Sequence, residues 1–246
     1  MTSLLTLTKI QGKLATRTLD GIIFGIGMPV CVLLLIAVIA GNSAANGADY
    51  TFLDSSFASL LAVGICATAF MGIPLTICDY RDKKILKHFF VTPVSPLIFI
   101  LAQFIVAAVT AIISAVLVTL VAYLFLGYQM AGSWGALIGG YFLVMFSMYS
   151  LGFLIASICK NLKIANVVCT FVYFPMLFLS GAVIPFELFP SAVQKVAAIL
   201  PLTQGIQLLK SITLNQALVN QPLIIGYLVI LGIVAALVSL KIFRWE

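Results

Sequence analysis

Long apolar segments separated by short polar ones make up most of the chain. A helix of roughly 20 apolar residues crosses a bilayer core about 30 Å thick, and the sequence has five runs of 19 to 25 residues and one longer run. The longer run must tilt or extend beyond the hydrocarbon. The pattern predicts an all-α polytopic membrane protein with one domain over residues 1–246, and six spans at 21–40, 56–78, 94–126, 134–158, 164–184 and 222–240.

The residues before the first span predict a helix that lies on the membrane surface. Apolar side chains recur with helical spacing at Leu7, Ile10 and Leu14. Basic side chains repeat every fourth position at Lys9, Lys13 and Arg17. An apolar stripe beside a basic one is typical of an interfacial helix, which would enter span one from the side.

A second amphipathic segment lies between Pro185 and Pro201, before the last span. Its apolar residues recur at helical intervals while polar residues occupy the rest of the helical wheel. The apolar stripe consists of Phe186, Phe189, Val193, Val196 and Leu200. We expect an outer segment that dips into the interface or re-enters the membrane.

A third segment, at residues 83–90 between spans two and three, is cleanly two-faced as a helix. Its basic residues share one side of the helical wheel and its apolar residues share the other. Pro93 ends the segment, because the residue before a proline is pushed out of the helical region. The pattern predicts a short amphipathic helix with the shape of a docking surface, or a basic loop that is attracted to anionic lipid.

Composition places the chain outside the soluble range. Hydrophobic residues make up 63% of the chain and charged residues 8%, and the mean hydropathy is +1.23. No connection between the predicted spans has room for a soluble catalytic domain. We therefore expect a partner to supply any chemistry or energy that the chain needs.

The basic residues give the chain its orientation. There are 13 Lys and Arg against 7 Asp and Glu, for a net charge of +6. Only Lys195 and Lys210 fall on one side of the predicted spans. The other eleven fall on the opposite side: Lys9, Lys13, Arg17, Arg81, Lys83, Lys84, Lys87, Lys160, Lys163, Lys241 and Arg244. The positive-inside rule predicts cytoplasmic termini, and no aromatic-basic interleaving indicates a nucleic-acid surface.

Residue patterns for catalysis are missing. The single histidine, His88, has no neighbouring cysteine or paired carboxylate for a metal or nucleophilic site. The acids lie at span ends or in loops, which argues against an ion-coupled transporter or an intramembrane protease. Gly12-Lys13 lacks the upstream glycine of a phosphate-binding loop. The five cysteines lack CxxC spacing and are interpreted as reduced packing residues. We expect no enzyme activity, no metal and no bound ATP in this chain.

Two rows of mild polar residues run along the predicted spans. Span three carries Gln103, Thr110 and Ser114 at i, i+7 and i+11. Span five carries Asn166, Thr170 and Tyr173 at i, i+4 and i+7. Such rows line a substrate path, seal a subunit interface, or form hydrogen bonds between helices of one chain, and the sequence leaves these alternatives open.

The order of these elements resembles the type-2 ABC exporter permeases. The resemblance covers nearly the whole chain and rests on three stretches: YRDKKILKHFFVTPVS at 80–95, FPMLFLSGAVIP at 174–185 and LPLTQ at 200–204. In that family the first stretch forms a helix that docks on a separate ATPase. The resemblance implies that docking falls to Arg81, Lys83, Lys84, Lys87 and His88. Many members have Gly-Thr-Leu-Glu where this chain has Lys84-Ile-Leu-Lys87, so their acidic contact is not carried over.

The resemblance also implies an assembly and an activity. It implies two permease subunits with two ATPase subunits that bind ATP and Mg, in the bacterial cytoplasmic membrane. The permease pair would be a homodimer, or a heterodimer with a second permease chain. The exported substrate would be amphiphilic or hydrophobic, such as a drug, peptide or lipid, and the stretch around Thr92-Pro93 is most similar to the multidrug-efflux branch. The alternatives are a polysaccharide or glycolipid exporter, a non-transporting scaffold or immunity protein and, third, a secondary transporter.

Overall fold

A computed structural model of the chain describes residues 2–15, 23–40, 52–85, 96–183, 189–216 and 221–243. These ranges are almost entirely helical and contain no β-strand, which confirms the predicted all-α class for this part of the chain. Two helices include a π-helical turn, at Ile23–Gly27 and Thr68–Gly72. The described helices are α1 (Thr2–Ala15), α2 (Ile23–Gly27 and Met28–Ala40), α3 (Phe52–Ala67, Thr68–Gly72 and Ile73–Asp82), α4 (Pro96–Phe125), α5 (Trp134–Ile158), α6 (Leu162–Leu179), α7 (Ser191–Ala197), α8 (Pro201–Thr213) and α9 (Gln221–Ile242).

Five of the described helices are long and apolar enough to cross a membrane. They are α3 to α6 and α9, and each overlaps one of the predicted spans. The apolar part of α2, Gly25–Val38, is shorter than a full span. A first span at 21–40, and with it the count of six, therefore stays a prediction.

Helix α3 is the centre of the fold. It packs against α2, α4, α5, α6 and α8. Within its apolar stretch 78% of the residues are buried inside the chain, against 28% in each of α4, α6 and α9. The difference follows from position: α3 is apolar on every side and covered by its neighbours, whereas the other three keep an apolar face for lipid or for a partner.

The π-helical turn of α3 makes a close contact with α5. Thr68 begins this turn, and its Oγ1 donates to the backbone oxygens of Gly64 and Ile65 at 3.1 and 2.9 Å. The carbonyl oxygen of Ala69 lies so close to Gly152 that a Cβ there would be 2.2 Å away. Only glycine allows this approach, since a side chain on Gly152 would collide with backbone rather than with a flexible group.

Two predicted segment bounds are corrected by the structure. The span predicted at 164–184 is a helix from Leu162 to Leu179, and residue 184 lies outside the described ranges. The helix ends early because Gly181 takes a positive φ of 84° and the Ser180 Oγ bonds back to the Leu177 carbonyl oxygen.

The outer segment is divided into two helices. Helix α7 covers only Ser191–Ala197, shorter than the predicted stripe, and Phe186 lies outside the described ranges. Helix α8 follows and was not predicted as an element. It packs against α3, α5 and α9 and buries most of its side chains. Gly205 allows this packing, because a Cβ there would lie 2.9 Å from the Val144 side chain of α5.

The N-terminal helix is present and packs along α4. Its predicted apolar residues Ile10 and Leu14 are exposed, as are Lys9 and Lys13. The side chain buried most deeply on α1 is instead Gln11. An amphipathic surface therefore faces away from the rest of the described chain, as an interfacial helix requires.

Candidate functional site

The Asp82 end of α3 leads into the predicted docking segment. Lys83 and Lys84 follow the helix and are exposed, with the Lys83 Nζ 2.7 Å from Asp79 Oδ2. Lys84 has a positive φ of 57°, which turns the chain away from the helix axis. Lys87 and His88 lie outside the described residues. Two exposed lysines thus stand where the predicted segment begins, and Lys83 is paired with Asp79.

Arg81 is turned inward and is only 8% exposed. Its Nη1 donates to the carbonyl oxygens of Ala156, at 3.2 Å, and Cys159. These carbonyls lie at the C-terminal end of α5, where the last carbonyls of a helix lack intrahelical partners and carry partial negative charge. A guanidinium from α3 therefore caps α5. Docking by Arg81 stays a prediction, and most of its side chain is held inside the chain.

The same guanidinium also contacts the end of α9. Its Cζ lies 5.6 Å from the centre of the Phe243 ring, one residue beyond the helix. A cation over an aromatic face is favourable, the more so when both groups are withdrawn from water. Arg81 thus joins the ends of three helices: α3, α5 and α9.

Asp82 binds the other end of the connection between α5 and α6, at the start of α6. Its Oδ2 accepts a hydrogen bond of 2.9 Å from the backbone N–H of Leu162, the first residue of α6. Asn161 caps the same helix with its own side chain, whose Oδ1 accepts from Ile164 N–H at 2.8 Å. A carboxylate suits a helix N-terminus because that end carries partial positive charge.

Buried thiols complete this cluster. The Cys78 Sγ donates to the carbonyl oxygen of Cys159 at 3.7 Å. Burial raises the pKa of the Cys159 thiol, and the Arg81 charge opposes that rise without cancelling it. All five cysteines are free, as the sequence predicts.

The polar row on α4 faces the chain's own helices. Gln103 and Ser114 are buried, and Thr110 is half-buried with its Oγ1 bonded to the Val106 carbonyl oxygen at 2.9 Å. A Cβ built on Gly64 of α3 would lie 3.0 Å from the Ser114 Oγ. Small polar residues that are buried between helices in this way help the helices to pack closely.

The polar row on α6 passes from the surface into the core. Asn166 is exposed, Thr170 is half-buried and Tyr173 is fully buried. The Tyr173 hydroxyl donates to the Met28 Sδ of α2 at 3.7 Å. A shallow groove of about 390 Å³, wide open to the outside, lies beside the first two and is lined by Lys163, Asn166, Val167, Thr170 and Phe171. The groove therefore offers an amide, a hydroxyl, a cation and an aromatic ring within one surface.

An apolar stripe borders this groove along α6. Its members are exposed and recur at alternating intervals of three and four residues, the spacing of a seam between two helices. The stripe consists of Ile164, Val167, Phe171, Phe174 and Phe178. The rings of Phe174 and Phe178 stack with centres 6.4 Å apart. No helix of the described chain covers this face.

Comparison with known families identifies the chain. A family model described as the ABC-2 type transporter matches residues 2–214, from the start of α1 to just beyond the end of α8. The chain belongs to the ABC-2 type transporter family. It is therefore a multi-pass membrane protein of a transport family. The family normally works with an ABC ATPase.

Curated relatives match a shorter part of the chain. Nodulation protein J of Rhizobium leguminosarum bv. viciae is 40% identical over 95 residues, 39% of this chain and 37% of that protein. Nodulation protein J of Rhizobium meliloti is 43% identical over 75 residues, 30% of this chain and 29% of that protein. Each match spans well under half the length of the relative.

Sequence patterns did not reveal the groups that hold the Asp82 end of α3 in place. The family resemblance placed Arg81 among the docking residues, and Asp82 had no role. Their partners are backbone atoms of Ala156, Cys159 and Leu162, which no side-chain pattern marks. The available signal was the pair of opposite charges at the end of an otherwise apolar span.

Proposed function

We propose that the chain is the permease subunit of an ATP-driven exporter whose ATPase is a separate protein. The observation that carries this proposal is the family match, which covers all described helices except α9. The apolar helical body suits a conduit, and members of the family normally work with an ABC ATPase. ATP and Mg would be bound by that ATPase, with two copies serving two permeases.

The ATPase would dock on the basic segment that begins at Lys83. Lys83 and Lys84 are exposed, and Lys87 and His88 extend the same predicted face. Anionic lipid is the competing occupant of such a face. If α2 completes a sixth span, the positive-inside rule would put this segment and both termini in the cytoplasm, and we propose a bacterial cytoplasmic membrane.

The substrate would enter along the groove on α6. The groove begins at Lys163, near the end of α6 that is predicted to be cytoplasmic. The row of polar residues on α6 ends at Tyr173, whose hydroxyl is hydrogen-bonded to Met28 in the core. Asn166 and Thr170 can exchange hydrogen bonds with a polar head group while Phe171 contacts an apolar tail. An amphiphilic substrate fits this combination.

A glycolipid or polysaccharide is the substrate that we prefer over a drug. Amide and hydroxyl side chains beside an exposed aromatic ring are the groups that meet the hydroxyls and apolar faces of sugars. The curated relatives are named for nodulation, and neither name refers to drugs. The comparisons therefore give no support to drug efflux. Export of a drug or peptide is the alternative hypothesis.

A second permease copy would complete the path. The apolar stripe on α6 has the spacing of a helical seam, and closed two-fold symmetry is the commonest arrangement of identical subunits. The stripe and the groove share Val167 and Phe171. A homodimer would thus place two grooves beside one central contact. A heterodimer would use a related chain for the same seam.

Purification of the tagged chain from its native membrane in mild detergent tests the proposal. Mass spectrometry should find an ATPase with a phosphate-binding loop in about equal amount. A chain that purifies alone in several detergents would favour the non-transporting scaffold or immunity alternative.

Charge reversal tests the docking surface. The triple change Lys83→Glu, Lys84→Glu and Lys87→Glu should release the ATPase while the chain still inserts in the membrane. Lys195→Glu, an exposed lysine of α7 on the other predicted side, is the matched control. Retention of the ATPase by the triple variant, with unchanged topology, would contradict docking at this segment.

A further inference from the structure

We infer that Arg81 and Asp82 are positioning residues that pass a movement of the docking segment to helix α6. This inference rests on the proposed function, and it assigns the two residues a role inside the chain. The observation behind it is that consecutive residues of α3 hold both sides of the short connection between α5 and α6, at residues 159–161.

The two contacts are complementary in charge. Arg81 places a cation on the carbonyl end of α5, and Asp82 places an anion on the N–H end of α6. Each matches the partial charge that the helix terminus presents. Exchanging the two residues would put each charge at the wrong terminus, so the contacts depend on their order in the sequence.

Asp82 and Leu162 are each next in sequence to the regions that they would connect, the docking segment and the α6 groove. Lys83, the first residue of the docking segment, follows Asp82 directly, and Lys163, at the end of the α6 groove, follows Leu162 directly. A displacement of the Asp82 end of α3 therefore has a route to the groove through the hydrogen bond between Asp82 and Leu162, in addition to the direct packing of α3 against α6. Helix α3 packs against five neighbouring helices.

Asp82 differs from Arg81 in its exposure to solvent. Its side chain is exposed, whereas Arg81 is buried. Loss of an exposed carboxylate leaves the packing of the helices intact, so its effect is visible in a folded protein. Replacement of Arg81 would leave carbonyls and a ring without their buried cation, and would disturb the fold as well.

Hydrogen exchange of the complete complex of permease and co-purified ATPase provides the test. Exchange is followed in peptides covering 83–95 and 162–170, with ATP plus orthovanadate and without nucleotide. In the wild type we expect nucleotide to change exchange in both regions. In Asp82→Ala the change at 162–170 should fall by about fivefold or more, while the change at 83–95 and the rate of ATP hydrolysis persist.

Three further variants make the test specific. Asp82→Asn keeps an acceptor for the Leu162 N–H and should restore part of the response at 162–170. Asp79→Ala removes an acid one turn earlier that contacts Lys83, and should leave the response at 162–170 unchanged. Arg81→Lys keeps the cation at the end of α5 and should retain more of the response than Arg81→Gln.

The outcomes separate the inference from the proposed function. An undiminished response at 162–170 in Asp82→Ala would overturn the inference and leave docking intact. Equal loss in Asp79→Ala would overturn it too, because general charge near the docking segment would then be responsible. Absence of any nucleotide response at 83–95 in the wild type would overturn docking itself, and the inference with it.

Discussion

Two buried hydroxyl groups join α3, α4 and α5. The Tyr149 hydroxyl donates to the Ala107 carbonyl oxygen at 2.7 Å and lies 2.9 Å from the Thr68 Oγ1. Both side chains are buried, and neither belongs to the rows that the sequence singled out. The sequence could not single them out, because one hydroxyl in an apolar span looks like any other until its partner is known.

We expect Tyr149→Phe to destabilise the chain without changing its fold. The change removes two interhelical contacts and leaves the ring in place, which should cost about 1 kcal/mol. The measurement is the free energy of unfolding in a denaturing detergent titration. Tyr123→Phe is the control, since the Tyr123 side chain is largely exposed. Equal effects of the two changes would show that the buried hydroxyl contributes nothing special.

Gly152 gives a sharper prediction at the same scale. Gly152→Ala would place a Cβ 2.2 Å from the Ala69 carbonyl oxygen, so α5 must move away from the π-helical turn of α3. Overpacking of this kind costs typically 1 to 3 kcal/mol. The amount of folded protein after purification and its midpoint of thermal unfolding should both fall.

The matched control lies on the same helix. A Cβ on Gly139 would meet nothing within 4 Å. Gly139→Ala should therefore leave stability unchanged or raise it slightly, because alanine favours a helix. If Gly139→Ala lowered the midpoint as much as Gly152→Ala did, the close contact with α3 would not be the cause.

Whole helices could be predicted to different degrees. The apolar runs at 134–158 and 222–240 correspond closely to α5 and α9, because uninterrupted apolar residues leave a span no alternative. Helix α8 was not predicted as a helix. It has 13 residues, too few for a span, and its apolar stripe is explained by the surfaces of α3, α5 and α9 that cover it.

The ends of α6 show how local chemistry decides an element. The Asn161 side chain caps its first turn, so Asn161→Ala should destabilise the chain by about 1 kcal/mol. Asn161→Asp should cost little, because a carboxylate accepts the same hydrogen bond and suits the helix terminus. Thermal unfolding of the two variants in detergent provides the comparison. Equal losses would contradict a capping role.

At the scale of the whole molecule, the topology depends on whether α2 crosses the membrane. Six spans put both ends on one side, and five put them on opposite sides. We expect Lys9→Cys and Lys241→Cys to share a side and Lys195→Cys to lie on the other. All three positions are exposed.

The measurement is labelling by a membrane-impermeant maleimide in right-side-out vesicles, with the exposed native thiol removed by Cys31→Ser. Lys195→Cys should react in sealed vesicles, and the other two only after the vesicles are opened. Reaction of Lys9→Cys in sealed vesicles, with Lys241→Cys protected, would establish five spans and contradict the predicted topology.

The sequence alone determined the class of molecule, because the energy of burying peptide groups in lipid leaves long apolar runs only one regular structure. It also indicated the family, through the order of the motifs along the chain. Tertiary structure decided which polar residues face inward and which face the surface. It turned Arg81 toward the ends of α5 and α9, and divided the α6 row between the groove at Asn166 and the core at Tyr173. These outcomes depend on contacts between residues far apart in the chain, and such contacts are set by how the helices pack, not by the periodicity of any one of them.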